Sequence, residues 1–141
     1  MYEKRAVGRC ISKLSNQIRR RLDSFSAKSG VSGSQGRVLH FVLAQTEDVF
    51  QRDIEQEFNM RPPSATELLK VMEKNGLIRR ESTAKDARLK KIIVTEKAAA
   101  LVGQVFPDLE ELERDLTKGI SPEELELFFQ IIGRMSENLK D

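Results

Sequence analysis

The chain's 141 residues make about one domain, which buries roughly two-thirds of the surface its unfolded form exposes. Charged residues are 33% of the total, and the apolar runs fall far short of the about 20 residues that a membrane-spanning helix needs, so no membrane partner is expected. The net charge of +2 is unevenly placed: 8 Lys/Arg against 2 Asp/Glu from Met1 to Gly36 (+6), 6 against 2 from Leu77 to Lys91 (+4), and 5 against 11 from Glu96 to Asp141 (−6).

The opening MYEKRAVGRC lacks the apolar stretch and small-residue cleavage site of a signal peptide, so a soluble, cytoplasmic protein is expected. The single Cys10 has no internal disulfide partner, and without Cys/His clusters neither a structural metal nor a cofactor is expected. One His, one Cys, no glycine-rich phosphate loop and no acidic pair at metal-binding spacing argue against an enzyme.

Val7, Ile11, Leu14, Ile18, Leu22 and Phe25 recur at steps of three and four, which predicts a helix with one apolar stripe, ended near Ser29 by a left-handed Gly30. Ser32 with Gln35 forms a capping box opening a second helix, with Val38, Leu39, Val42 and Leu43 as its buried face and a polar turn from Gln45 to Asp48. Val49-Phe50 is short for a strand, and a role as a third, minimal strand stays open. Gln51 to Phe58 reads as a short helix with Ile54 and Phe58 facing inward, followed by a turn in which Asn59 takes a positive φ.

Pro62 and Pro63 suit the first turn of the next helix, which runs to Asn75 with Leu68, Leu69, Val71 and Met72 as its apolar side and Gly76 as its stop. Its leading positions, Ser64, Ala65, Thr66 and Glu67, with Lys70 one turn on, are read as exposed. Small or polar residues there let a helix backbone approach base edges in a major groove. Leu77 to Glu81 and Lys91 to Thr95 have strand composition, and the polar stretch between them, Thr83 to Lys90, carries Lys85, Asp86, Arg88 and Lys90. Two helices, a tight turn and a basic β loop in this order make a winged helix-turn-helix, so the fold class is mainly α with a small β wing.

Beyond Thr95, Leu101, Val102, Val105, Leu109, Leu112 and Leu116 recur at helical spacing, with Pro107 expected to kink or locally break the helix. Ser121, Pro122 and Glu124 open a last helix whose apolar face is Leu125, Phe128, Phe129, Ile132, Met135 and Leu139. Strongly apolar helices at both ends of a short chain need more partner surface than one domain offers, which points to a homodimer. The +6 and −6 segments are expected to complement each other in the dimerisation region. Arg19-Arg20-Arg21 reads as the polar side of a helix facing an acidic partner, with a DNA-backbone patch as the alternative.

The run GLIRRESTAKDARLKKIIVTEKA, Gly76 to Ala98, resembles the wing signature of the MarR (multiple antibiotic resistance regulator) family, in which a wing Asp-x-Arg precedes an apolar strand ending in Thr-Glu-Lys. The likeness extends to PPSATELLKVMEKNGL and to SGSQGRVLHFV, and so over nearly the whole chain. It implies a transcriptional repressor that is a homodimer, with residues 1–30 and 97–141 as dimerisation helices flanking a DNA-binding lobe at 31–96. The recognition helices would enter successive major grooves of a pseudo-palindromic double-stranded DNA operator, with Arg88 in the flanking minor groove and Asp86 fixing the wing through Arg79 or Arg80. Arg61, Pro62, Ser64, Ala65, Thr66, Glu67, Lys70, Lys85, Asp86, Arg88 and Lys90 are the DNA-binding candidates. Two positions depart from the family: Arg61 stands where Ser or Thr is frequent and removes a side-chain cap, and Glu67 stands where a basic residue is frequent.

The resemblance further implies release by a small aromatic ligand, with His40 and Phe41 as candidate ligand-binding residues, and in some relatives an oxidant-sensing Cys in the first helix, here Cys10. Each reading has a plainer rival. The basic loop can be a solvated face, Ser64 and Thr66 mere capping residues, His40 a half-buried helix residue, and Cys10 a thiol packed at the dimer interface. A winged-helix protein-interaction module is the competing class.

Overall fold

The computed structural model describes residues 5–84 and 88–140. In chain order these form α1 (Val7–Ser29), α2 (Gly33–Ala44), α3 (Gln51–Glu57), α4 (Pro62–Lys74), β1 (Ile78–Ser82), β2 (Lys90–Val94), α5 (Glu96–Thr117) and α6 (Pro122–Asn138).

The apolar stripe of α1 divides along its length. Leu22 and Phe25 are buried, whereas Val7, Ile11 and Leu14 are exposed. Gly30 ends the helix at φ 76°, its N–H donating to the Ser26 carbonyl at 2.9 Å, as a left-handed cap requires. Gly33 then begins α2 directly against α1: a Cβ at this position would stand 2.6 Å from the Cβ of Leu22, so only glycine permits this approach. Ser32 and Gln35 close the capping box, with Gln35 N–H to Ser32 Oγ at 3.1 Å and Ser32 N–H to Gln35 Oε1 at 3.3 Å. Leu43, expected inside, is exposed, while its neighbours Phe41 and Val42 are the residues at this end of α2 that pack against the core.

One apolar cluster gathers Val31, Val38, Leu39, Val49, Ile54, Leu69, Met72, Leu77, Ile78, Ile92, Ala98 and Val102 from every element between the end of α1 and α5. Val71 lies on the outer side of α4 instead. β1 and β2 pair antiparallel, with Ile78 opposite Val94, Arg80 opposite Ile92 and Ser82 opposite Lys90. Val49-Phe50 adds no strand among the described residues, but the Ile92 N–H donates to the Val49 carbonyl at 2.8 Å and holds this segment beside β2.

The end of α4 is fastened twice. Gly76 at φ 74° makes a Schellman cap, with Leu77 N–H to Met72 O at 2.9 Å and Gly76 N–H to Glu73 O at 3.1 Å. Thr95, expected at the end of a strand, instead caps α5 and reaches back: its hydroxyl accepts from Ala98 N–H at 3.2 Å and donates to the Gly76 carbonyl at 2.7 Å. The Lys97 ammonium donates to the Asn75 carbonyl at 3.2 Å.

The chain divides into two compact units, Met1–Asp108 and Leu109–Asp141, the boundary falling just after Pro107. α5 is continuous through Pro107, so the local break expected there does not occur; the helix tolerates the missing N–H inside one turn. In the second unit Ser121, Pro122 and Glu124 open α6 as expected, and α6 leaves Leu127, Phe128, Phe129 and Ile132 exposed. No described helix is long and apolar enough to cross a membrane.

Candidate nucleic-acid interface

The α3–turn–α4 unit owes its angle to local chemistry. Asp53 reaches back to the Phe50 N–H at 2.8 Å and starts α3. Asn59 takes φ 49° in the turn, where Met60 N–H donates to Glu55 O at 2.9 Å. Pro62 occupies the first position of α4, and Arg61 gives no side-chain cap. Ala65, Leu69 and Met72 are fully buried and fix the roll of α4, so Arg61, Pro62, Ser64, Glu67 and Lys70 all face outward. A side-chain bond sets the spacing of the two helices: Gln51 Nε2 donates to Thr66 Oγ1 at 2.9 Å and to Glu55 Oε2 at 3.0 Å.

The wing strands change character along one face. Ile78 and Ile92 point into the core; two residues farther out on the same face stand Arg80 and Lys90. Arg80 Nη2 meets Glu73 Oε1 of α4 at 3.3 Å, with the Arg80 side chain 22% exposed, so the β hairpin and α4 are joined by an ion pair. Arg79, on the opposite face, lies 3.5 Å from Glu81. Thr83 N–H donates to Leu89 O at 3.2 Å and closes the base of the loop.

Between the start of α3 and this inner face lies a cleft of about 210 Å³, lined by Phe50, Gln51, Arg52, Arg80, Arg88, Leu89, Lys90 and Ile92. Four of these are cationic and none carries a carboxylate. Arg52 stands with its guanidinium 5.3 Å from the centre of the Phe50 ring, a cation–π distance.

The model of the MarR family matches residues 29–89. The transcription regulator MarR from Oenococcus oeni PSU-1 is 32% identical with a TM-score of 0.86, over 94% of this chain and 99% of that one. The chain belongs to the MarR family. It is a winged-helix transcription regulator, and the sequence resemblance stands. MepR of S. aureus in complex with DNA has a TM-score of 0.89 at 24% identity, over 99% of this chain and 100% of that one. The same protein in a DNA-binding conformation gives 0.87 at 25% identity, over 96% and 99%.

Within this MarR fold the candidate residues separate. Arg61, Pro62, Ser64, Glu67 and Lys70 share the outer face of α4, and Arg88 and Lys90 lie at the wing cleft. Ala65 is corrected: expected exposed, it is fully buried, because it sits on the same side of α4 as Leu69 and Met72, and its side chain cannot meet a base edge. Thr66 is half-buried and bonded to Gln51. Lys85 and Asp86 lie outside the described residues, and with them the pairing expected for Asp86.

His40 and Phe41 point to different neighbours, His40 to Phe106 with ring centres 4.5 Å apart, and Phe41 to Phe58 edge-on at 5.9 Å. Cys10 is exposed on α1. Arg52, Gln51 and Arg80 were not among the DNA-binding candidates. Period-two alternation outward from Ile78 and Ile92 would have pointed to Arg80 together with Lys90. Arg52 and Gln51 join them through the backbone bond between Val49 and Ile92 and the core that Ile54 and Ile92 share.

Proposed function

We propose that this MarR-family chain is a homodimeric, sequence-specific DNA-binding repressor that a small aromatic ligand releases. The outer face of α4 carries the DNA-reading part: Arg61, Ser64, Glu67 and Lys70 are exposed on a helix whose other side is locked into the core, so the face presented to a groove cannot roll away. Arg88 enters the flanking minor groove, where narrow A/T-rich sequence enhances the negative potential. The solved complex of S. aureus MepR with DNA supports this reading by its similar backbone.

Residues 1–30 and 97–141 dimerise and 31–96 form the DNA-binding lobe. The exposed Val7, Ile11 and Leu14 on α1, and separately Leu127, Phe128 and Phe129 on α6, are the apolar surface that a second copy would cover. The half-buried His40 against Phe106 is the aromatic surface offered to the ligand.

A gel shift on the DNA upstream of the chain's own gene, over a salt series and with footprinting, tests the proposal. Expected are a steep loss of affinity with salt and a two-fold symmetric footprint with half-sites about 10 bp apart. Salt-independent capture of protein in place of DNA would favour an interaction module. Release by peroxide, lost in Cys10→Ser, would replace ligand sensing with redox sensing through Cys10.

A further inference from the structure

We propose that the cleft between α3 and the wing strands seats one backbone phosphate of the bound duplex, held by Arg52 and Lys90 with Arg80 beside them. The proposal rests on the DNA-binding reading and adds to it a site separate from the outer face of α4.

Arg52 comes from α3, Arg80 from β1 and Lys90 from β2, so three elements bring cations to one concavity. Like charges gathered this way repel one another. Glu73 meets Arg80 at 3.3 Å, and among the described residues no carboxylate lines the cleft itself. An anion between them relieves the repulsion. The volume of about 210 Å³ accommodates a phosphodiester group with a few bridging waters, a water's share being about 30 Å³.

Position argues for a phosphate of the duplex over a free anion. Gln51 lines the cleft, and its amide nitrogen is 2.9 Å from Thr66 Oγ1 on α4. The occupant is therefore one side chain away from the recognition helix. A backbone phosphate gripped there fixes how deeply α4 sits in the groove, which is the positioning role of phosphate contacts. The Arg52 guanidinium stands 5.3 Å from the centre of the Phe50 ring, a contact that restricts where it points.

The test measures binding to a 30-bp duplex of randomised sequence by fluorescence anisotropy across a potassium chloride series, for the full chain and for Arg52→Ala/Lys90→Ala. Lys118→Ala/Arg134→Ala, equal in charge change, serves as control. The cleft variant should flatten the slope of log affinity against log salt by about 0.9 per chain bound and weaken binding about tenfold, with Arg52→Lys/Lys90→Arg restoring both. The base preference selected from the duplex pool should stay that of the unaltered chain.

An unchanged slope in a cleft variant that melts like the unaltered chain overturns the proposal. So does protection of the cleft by inorganic phosphate alone, which would make it a free-anion site. If the unaltered chain itself shows no salt-dependent duplex binding, the DNA-binding reading fails instead, and the two failures are distinct.

Discussion

The side-chain amide of Gln51, the first residue of α3, donates to the hydroxyl of Thr66 on α4 across 2.9 Å. The same nitrogen lies 3.0 Å from Glu55 Oε2, and a carboxylate only accepts, so the amide's orientation is fixed by chemistry. The bond uses one lone pair of the Thr66 hydroxyl within the protein, and in the proposed DNA-bound form the hydroxyl proton is the part left to a groove acceptor. Gln51→Ala should lower stability by about 0.5–1.5 kcal/mol in urea unfolding. On a footprinted operator it should also reduce, by about 1 kcal/mol, the discrimination among bases at the position facing Thr66. Full discrimination in the variant would show that Thr66 is placed without Gln51.

Thr95 joins the recognition helix to α5. Its hydroxyl donates to Gly76 O at 2.7 Å and accepts from Ala98 N–H at 3.2 Å, so one side chain satisfies a carbonyl at the end of α4 and caps the start of α5. Thr95→Val keeps the shape and removes both bonds. It should cost about 1–2 kcal/mol in urea unfolding, and Thr95→Ser should recover most of this.

Residues that act through local rules were legible in the sequence. The caps at Ser32 and Ser121, the left-handed Gly30, Asn59 and Gly76, and Pro62 at a first helical position each follow from one residue's backbone preference or from a partner three positions away. Thr95 was less legible. It belongs to a β-branched run, yet it caps α5, because its carbonyl partner is 19 residues earlier in the chain. The cationic cleft was hidden for the same reason. Arg52 and Lys90 are separated by 38 positions in the sequence, and the core beneath them, through Ile54 and Ile92, together with the Val49–Ile92 backbone bond, sets them on one concavity. Ala65 shows the limit of composition: a small residue at the start of a recognition helix serves either groove or core, and the three-residue and four-residue steps to Leu69 and Met72 decide for the core.

Glu124 gives a prediction with a defined sign. Its carboxylate accepts from the Ser121 backbone N–H at 2.9 Å, and the Ser121 hydroxyl in turn accepts from the Glu124 backbone N–H at 3.1 Å. The backbone hydrogen bond first, and the side-chain one after it, hold its pKa below the usual 4.5. The stabilisation is therefore complete above that value and is lost as pH falls through the lowered one. A carbon-detected NMR titration should place the Glu124 midpoint below those of the other glutamates, and Ser121→Ala should move it upward. A midpoint at the ordinary value would mean that the capping box is open in solution.

Arg88 is exposed at the base of the wing loop and lines the basic cleft. A guanidinium in a narrow minor groove is read through electrostatic potential, not through a base-specific code. Arg88→Ala should weaken operator binding by about 1–3 kcal/mol at matched salt. The loss should shrink when the sequence flanking each half-site is changed from A/T-rich to G/C-rich, because that exchange widens the groove the arginine exploits. Equal affinities for the variant and the unaltered chain at one salt concentration would remove Arg88 from the interface.

The exposed face of α6 offers a test of the proposed dimer. Phe129 is 58% exposed and Phe128 48%, and their rings stack edge-on at 5.6 Å beside Leu127 and Ile132. Full burial of a phenylalanine contributes about 1.5–3 kcal/mol, and with roughly half of each ring still in water about half of that is forgone for each. In a dimer driven by this face, Phe129→Asp places a charge in the buried centre, where desolvation without a partner is most costly. Sedimentation equilibrium should show a dissociation constant raised at least about 30-fold, the equivalent of a 2 kcal/mol hot spot. High salt separates this drive from charge pairing between the basic N-terminal and acidic C-terminal segments. An apolar interface holds in 1 M potassium chloride, whereas one governed by Arg19, Arg20 and Arg21 weakens there and is abolished when all three are changed to Glu. An unaltered dimer constant in Phe129→Asp would move the interface off α6.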